Sequence, residues 1–409
     1  MRRPPHIVTL LVALLTVVTV FGVGSAVATT VGDSPEMPYS VTPGNDTVGR
    51  LVVPGGSPTR QQATADLAGA LAGDQEQLQT TVETGQFGNS FESADNESAK
   101  RTVVEETLDR LETRTSRLQT ERQDALRAFA QGEIGSAGLF RELARIRAAA
   151  EGVDERAAVV ETVVQQSSTL SLSADATGQL AGIDGELITL RGPVTERMAA
   201  SLAGTAPSRS IGIQGGDSGV VLTTIDDGGT FVREATLWNE RAESGPNKFV
   251  EGDSSALSRA YQRAQETYPW AADNMISGLS VTGFGDSTVY GVDLTHSHGD
   301  LRTYLDGRTT NVFYEVQQLR LSSLPTEAVA TNTTGELLIQ VNTTAIGPKT
   351  VTVRNATTGE EVIADITVEA QRVKRSTIGS RLWLLDANET RTITARRPDG
   401  TTVSITIGS

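Results

Sequence analysis

The chain has 409 residues, 50 acidic and 35 basic, giving a formal net charge of −15, and it has no cysteine. That balance excludes nucleic acid and anionic lipid surfaces as natural partners, because an acidic surface repels both. The missing thiols exclude disulfide staples, thiolate metal sites and cysteine nucleophiles. Only Lys100, Lys248, Lys349 and Lys374 are lysine, against 31 arginines. Excess carboxylate with so little lysine suits molar salt, where the Debye length falls to about 3 Å.

In chain order, Arg2 and Arg3 precede an apolar run from Ile7 to Val23, and Ala26-Val27-Ala28 follows as a small-x-small cleavage site. Residues 1–28 therefore read as a secretory signal, which places the chain outside the cytoplasm, secreted or held at the cell membrane. Left uncut, the same run is long enough to span a bilayer as an N-terminal anchor. That is the only membrane contact the chain predicts.

Residues 29–56, rich in Gly, Pro, Ser and Thr, predict a flexible linker. Residues 57–205 predict a helical bundle. Ser57-Pro58 reads as its first cap, and a weak helix over 58–84 carries Leu67, Leu71, Leu78 and Val82 toward the bundle. The strongest periodicity follows. Val104, Leu108, Leu111, Thr115, Leu118, Arg122, Ala125 and Phe129 form one heptad seam, with Thr115 and Arg122 as defects. Leu139, Leu143, Ile146, Ala150, Val153, Ala157, Val160 and Val164 form a second, with Gly152 as its weak point. The turn residues 131–136 join them, so an antiparallel coiled-coil-like hairpin is expected. A further helix over 175–203 divides at Gly192-Pro193.

From residue 206 the period changes to that of strands. Gly219–Ile225 and Thr230–Trp238 form a hairpin around 226–229, Ser255 caps a helix that ends before Pro269, and strands recur at 279–284, 288–295 and 301–305. Residues 206–325 thus read as an α+β domain. Residues 326–409, with strands at 336–341, 349–354, 361–369, 380–385, 391–395 and 402–407, read as a small β-sandwich. The fold class is multi-domain: α, then α+β, then all-β.

Chemistry-bearing patterns are few. His296, His298 and Asp300 form the one histidine cluster beyond His6; two histidines two apart on a strand share a face and suit a metal, but Gly299-Asp300 predicts a turn. Asp226-Asp227-Gly228-Gly229 reads as a turn rather than a calcium loop. The segment around Ser218 superficially resembles a serine-protease nucleophile, but its base would have to be His296 or His298, both downstream, and no matching histidine or aspartate motif accompanies it. Tyr268, Trp270 and Trp238 read as core anchors. Asn45, Asn96, Asn332, Asn342, Asn355 and Asn388 open N-x-[ST] sequons and are glycosylation candidates. No catalytic residue and no cofactor is assigned.

Ala128–Ala150, Val220–Ala242 and Tyr268–Ala271 resemble uncharacterised exported haloarchaeal proteins with a helical N-terminal part and an α+β middle domain, a likeness that implies compartment and architecture alone. Residues 254–320 hold a shorter likeness, over Val289–Val316, to the PepSY pattern. Asp306, Thr309 and Val312 fit its corner, while Thr310 stands where glycine is usual. That likeness implies a protease-modulating module at the cell surface. The reading that follows is a non-enzymatic cell-envelope protein with an unidentified protein partner. Its alternatives are a PepSY-like modulator of a secreted protease and a metal-dependent enzyme using His296 and His298.

Overall fold

The computed structural model describes residues 41–408 except 43, 169, 253, 370, 377–380 and 386–389. The expected signal or anchor, residues 1–28, and the first part of the expected linker lie outside the described residues.

The rest of that linker is a strap. Strands β1 (Val41–Thr42) and β2 (Arg50–Leu51) pair with each other, and Val48, Leu51 and Val53 are buried. Three apolar side chains within six residues outweigh the Gly/Pro composition once a sheet face lies beneath them, each contributing roughly 1.5–3 kcal/mol. Next, β3 (Thr59–Ala63) replaces the helix start expected at Ser57-Pro58. The helix α1 (Leu67–Glu92) instead begins at Asp66, whose carboxylate accepts the Gly69 N–H at 2.8 Å.

The orientation of α1 is a second correction. Leu67, Leu71, Leu78 and Val82 face solvent, and Gly69, Thr80, Phe87 and Phe91 face inward. The cause is closeness. A Cβ on Gly152 would stand 2.1 Å from Thr80 Oγ1, a gap that admits small side chains and no leucine.

Helices α2 (Glu97–Ala130) and α3 (Ser136–Gln166) carry the two heptad seams. Seven of the eight α3 positions are buried and Ala157 is half-buried. Both α2 defects are buried as well. Thr115 satisfies its hydroxyl on Leu111 O at 2.8 Å, and Arg122 reaches out of the bundle to the sheet. Helix α4 (Ala174–Leu187), capped by Ser173, and α5 (Pro193–Leu202) follow, divided at Gly192-Pro193.

The sheet contains β3, then β4 (Arg209–Gly216), β5 (Gly219–Ile225), β6 (Thr230–Leu237), β7 (Met275–Gly283), β8 (Val289–His296), β9 (Gly299–Asp306) and β10 (Val312–Arg320). Its order is β3-β4-β5-β6-β10-β9-β8-β7, antiparallel throughout. Helices α6 (Ala256–Thr267), capped by Ser255, and α7 (Pro269–Asp273) precede β7. The glycines of β4 (Gly212, Gly215, Gly216) hide it from a strand-period reading.

The two halves of this sheet repeat. Gly219, Val221, Thr223, Ile225 and Asp226 recur 80 positions on as Gly299, Leu301, Thr303, Leu305 and Asp306. Phe231, Arg233 and Leu237 recur as Phe313, Glu315 and Leu319, the second turn being two residues longer. The halves meet where β6 pairs with β10, in a register symmetric about Glu234↔Val316.

Both faces are covered at the centre of the sheet. On one, α2, α3 and α5 pack on Ile211, Ile213, Leu222 and Val232. On the other, α6, α7 and the strap cover Val221, Leu237, Val292, Leu301 and Leu319, joined there by Ile346 and Leu385 of the C-terminal domain. That domain comprises β11 (Thr326–Thr334), β12 (Leu337–Thr344), β13 (Lys349–Asn355), β14 (Ala364–Val368), β15 (Gln371–Ser376), β16 (Leu382–Leu384), β17 (Arg391–Arg396) and β18 (Thr402–Ile407). Its two four-stranded sheets, β11-β12-β13-β16 and β15-β14-β17-β18, close on Ile339, Val351, Ile366, Ile393 and Val403.

Candidate functional site

The chemistry-bearing side chains of the middle domain gather at three places, set by strand alternation. Successive residues of β6 point to opposite faces, so Arg233 and Glu234 put one buried charge on each side of the sheet.

Glu234 faces the helices. Its Oε2 accepts the Val194 N–H at 3.1 Å and the Thr195 N–H at 3.4 Å, and its Oε1 accepts the Thr195 hydroxyl at 3.4 Å, so the carboxylate caps α5 from outside the helix. Arg122 stands 3.8 Å away and also donates to Thr236 Oγ1 at 3.1 Å. A Cβ on Gly192 would meet this carboxyl at 2.1 Å, so glycine is required there. Burial pushes Glu234 above its ordinary 4.5, opposed by Arg122 and the α5 donors.

On the opposite face, Arg233 donates to Glu315 at 2.5 Å. Glu315 Oε2 also accepts the Tyr268 hydroxyl at 2.6 Å and the Leu51 N–H at 2.8 Å. Arg233 returns a bond to Leu51 O, and Gln317 donates to Gly49 O at 2.7 Å. The strap is thus bonded through its backbone to a buried ion pair. Burial raises Glu315 as well, while Arg233, Tyr268 and Leu51 pull it back.

The third place is the β8–β9 turn. His296 is fully buried; its Nδ1 accepts the His298 N–H at 3.2 Å, and its ring meets Trp270 edge to face at 5.4 Å. His298 lies against the same Trp270, with Nδ1 3.3 Å from Thr47 Oγ1. Asp300 pairs across to Thr295, on the other face from His296, and accepts the Thr295 hydroxyl at 2.7 Å. The structure therefore brings His296 and His298 together and leaves Asp300 apart. Among the described residues no group of three or more His, Cys, Asp or Glu is placed to hold a metal ion. Burial, with His298 and Arg320 nearby, lowers His296 to about 4.

The remaining candidates fall as follows. Ser218 lies in the β4–β5 turn, at the opposite end of the sheet from the histidines, with its carbonyl bonded by Trp238 N–H. Asp226 accepts the Thr230 N–H at 2.8 Å and Asp227 is exposed. Tyr268 is in the core, Trp270 is partly buried against it, and Trp238 borders an open cleft of about 750 Å³ between α2, α4 and the sheet. Asp306 is fully buried and accepts the N–H groups of Thr309 and Ala242, each at 3.1 Å. Thr310 adopts φ +66°, so the corner forms without its glycine. Asn45, Asn96 and Asn332 are exposed, Asn342 and Asn355 are half-buried, and Asn388 lies outside the described residues.

Sequence reasoning missed Arg122, Glu234, Arg233 and Glu315. The 80-residue repeat was the available signal, since it aligns Arg233 with Glu315 at the centre of the sheet.

Residues 1–207 match a domain of unknown function (DUF7096), which covers half of the chain. The chain belongs to that family. Residues 211–325 match a second family of unknown function (DUF7094), and residues 328–404 an archaeal fibronectin-III type-like domain. The helical part, the repeated sheet and the C-terminal sandwich each carry one of these matches. No curated protein and no solved structure matches the chain.

Proposed function

We propose that the chain is an exported, non-enzymatic haloarchaeal cell-envelope protein that presents its sheet-borne and fibronectin-III-like domains to a protein partner. It is secreted or tethered by residues 1–28. The observation that supports this most is how the buried charge is spent. Glu234, Glu315 and Asp306 are each saturated by donors of the fold itself, which joins strap, helices and sheet. A catalytic centre needs polar groups left open toward a substrate. A C-terminal sandwich accords with the reading, since many cell-surface domains share that architecture. Among the described residues no helix is long and apolar enough to cross a membrane.

The test is affinity capture of the tagged chain from envelope and culture-fluid fractions, with N-terminal sequencing of what is recovered. The expected result is an extracytoplasmic chain, starting at Thr29 if cut and at Met1 if anchored, with a co-purifying protein. A chain found in the cytosol, or a hydrolytic activity of the purified protein, overturns it.

One observation favours a second reading, the PepSY-like modulator of a secreted protease: the Asp306–Val312 corner is closed despite Thr310. Titration of a secreted protease with the full chain in high salt tests it, and unchanged proteolysis at excess chain rejects it.

A further inference from the structure

Eleven large apolar side chains are exposed among the described residues, and four of them stand in one line on α1: Leu67 (76%), Leu71 (57%), Leu78 (68%) and Val82 (58%). At about 100° per residue and about 1.5 Å of rise, they fall within an arc of about 60° and extend about 22 Å along the helix. This face is unlike the rest of the bundle surface, where glutamates and arginines interleave.

We propose that this stripe is the seam of a two-fold dimer, in which α1 of a second copy of this chain lies antiparallel across it. Two observations select that occupant. The first is the spacing, which reads the same in both directions. Reversing the helix about a point between Asp74 and Gln75 sets Leu67 against Val82 and Leu71 against Leu78, the self-complementarity an isologous interface demands.

The second is charge. A chain of net charge −15 repels its own copy wherever both present carboxylates. On α1 the carboxylates of Glu76 and Glu83 are drawn to Arg114, Arg145 and Arg156 of the neighbouring helices. Along the stripe only Asp74 remains, flanked by Gln75, Gln79, Thr81 and Gln86. The antiparallel arrangement sets Asp74 opposite Gln75 of the other copy, whereas a parallel one sets Asp74 against Asp74. Since α1 contains no lysine or arginine, an anionic lipid surface is disfavoured as the occupant.

Four side chains cover less than the about 800 Å² per partner of a standard interface. The dimer is therefore expected to dissociate on the order of micromolar concentration.

Sedimentation of the full chain from about 1 to about 100 μM, in about 2 M salt, tests the proposal. The expected result is a monomer–dimer equilibrium that the Leu71→Gln/Leu78→Gln double variant weakens at least about tenfold, with unchanged melting at dilutions where the parent is monomeric, because both residues are exposed in the single chain. The chain has no cysteine, so introduced thiols report geometry without background. A mixture of Leu71→Cys and Leu78→Cys chains is expected to form a mixed disulfide-linked dimer on mild oxidation, and neither variant alone to do so efficiently. A monomer at every concentration, a dimer indifferent to the double variant, or efficient linking of Leu71→Cys to itself overturns the proposal. So does a stripe found occupied by residues 1–39 of the same chain.

Discussion

The two faces of the central sheet solve one problem in different ways. Each must hold a piece of chain that is remote in sequence, and each does so with a buried glutamate. On the helix face, Glu234 meets the N-terminus of α5, where backbone N–H groups and the helix dipole supply most of the compensation, and Arg122 stands off at 3.8 Å. On the strap face, Glu315 is bonded to Arg233, to Tyr268 and to the Leu51 N–H at once. The difference teaches where each carboxylate's value lies. Glu234 is a cap with a distant counter-ion, and Glu315 is the hub of a network in which strap, α7 and sheet share one charge.

Glu315 is accordingly where the largest effect is expected. Glu315→Ala leaves Arg233 buried without its partner and Leu51 N–H without an acceptor, a loss of about 3–5 kcal/mol, readable as a lower urea midpoint in high salt. The double variant Arg233→Met/Glu315→Leu removes both charges and is expected to recover the part of that loss due to the unpaired Arg233, while Leu51 and the Tyr268 hydroxyl stay without their partners. If it is no better than the single variant, the hub description fails.

Glu234→Ala comes next, at about 2–3 kcal/mol, from the lost cap and the partly uncompensated Arg122, which keeps Thr236. A loss equal to or above that of Glu315→Ala, measured in the same melts, reverses the contrast between the faces.

The strap face also carries a histidine whose titration works against the fold on acidification. His296 is held near 4 in the fold and takes its ordinary 6.5 when unfolded. Between those values the unfolded chain binds more protons, so stability is complete above about pH 6.5 and falls as pH drops toward 4. The loss reaches at most about 3 kcal/mol. The raised carboxyls Glu234 and Glu315 act in the opposite sense on acidification. For that reason the difference between parent and His296→Gln melts is the informative curve. It is expected to narrow steadily from pH 6.5 down to 4, and a flat difference would mean that the imidazole is not held neutral.

How much of this was legible in the sequence depends on what faces each element. The α2 and α3 seams were readable because two periodic stripes of equal length predict each other. The α1 stripe was equally regular, yet its direction was not, because the close contact of Thr80 with Gly152 decides it and neither residue carries a periodic signal. Arg122 looked like a defect in its heptad for a related reason: its partner, Glu234, lies 112 residues downstream on a strand. The strap was hidden by composition, since Val48, Leu51 and Val53 are apolar residues in a Gly/Pro context whose burial needs a sheet built from residues beyond 205. The repeat of Gly219–Asp226 in Gly299–Asp306 was the one long-range feature written openly in the chain.

The smallest expected effect concerns where that repeat departs from itself. The first half turns at Asp226 through Gly229, at φ +77°, and the second at Asp306 through Thr310, at φ +66°. A β-branched residue in the left-handed region costs on the order of 1–2 kcal/mol relative to glycine, which adopts it freely. Thr310 is held there by bonds on both sides of its peptide: its N–H donates to Asp306 O at 2.7 Å, and its carbonyl accepts from Arg263 Nε at 3.1 Å. Thr310→Gly keeps both bonds and removes the strain, though glycine also loosens the unfolded chain. The net expectation is a gain of about 0.5–1 kcal/mol, seen as a higher melting temperature. A loss instead would mean that the Thr310 side chain, and not the backbone bonds alone, secures the corner, and the two turns would then be held by different means.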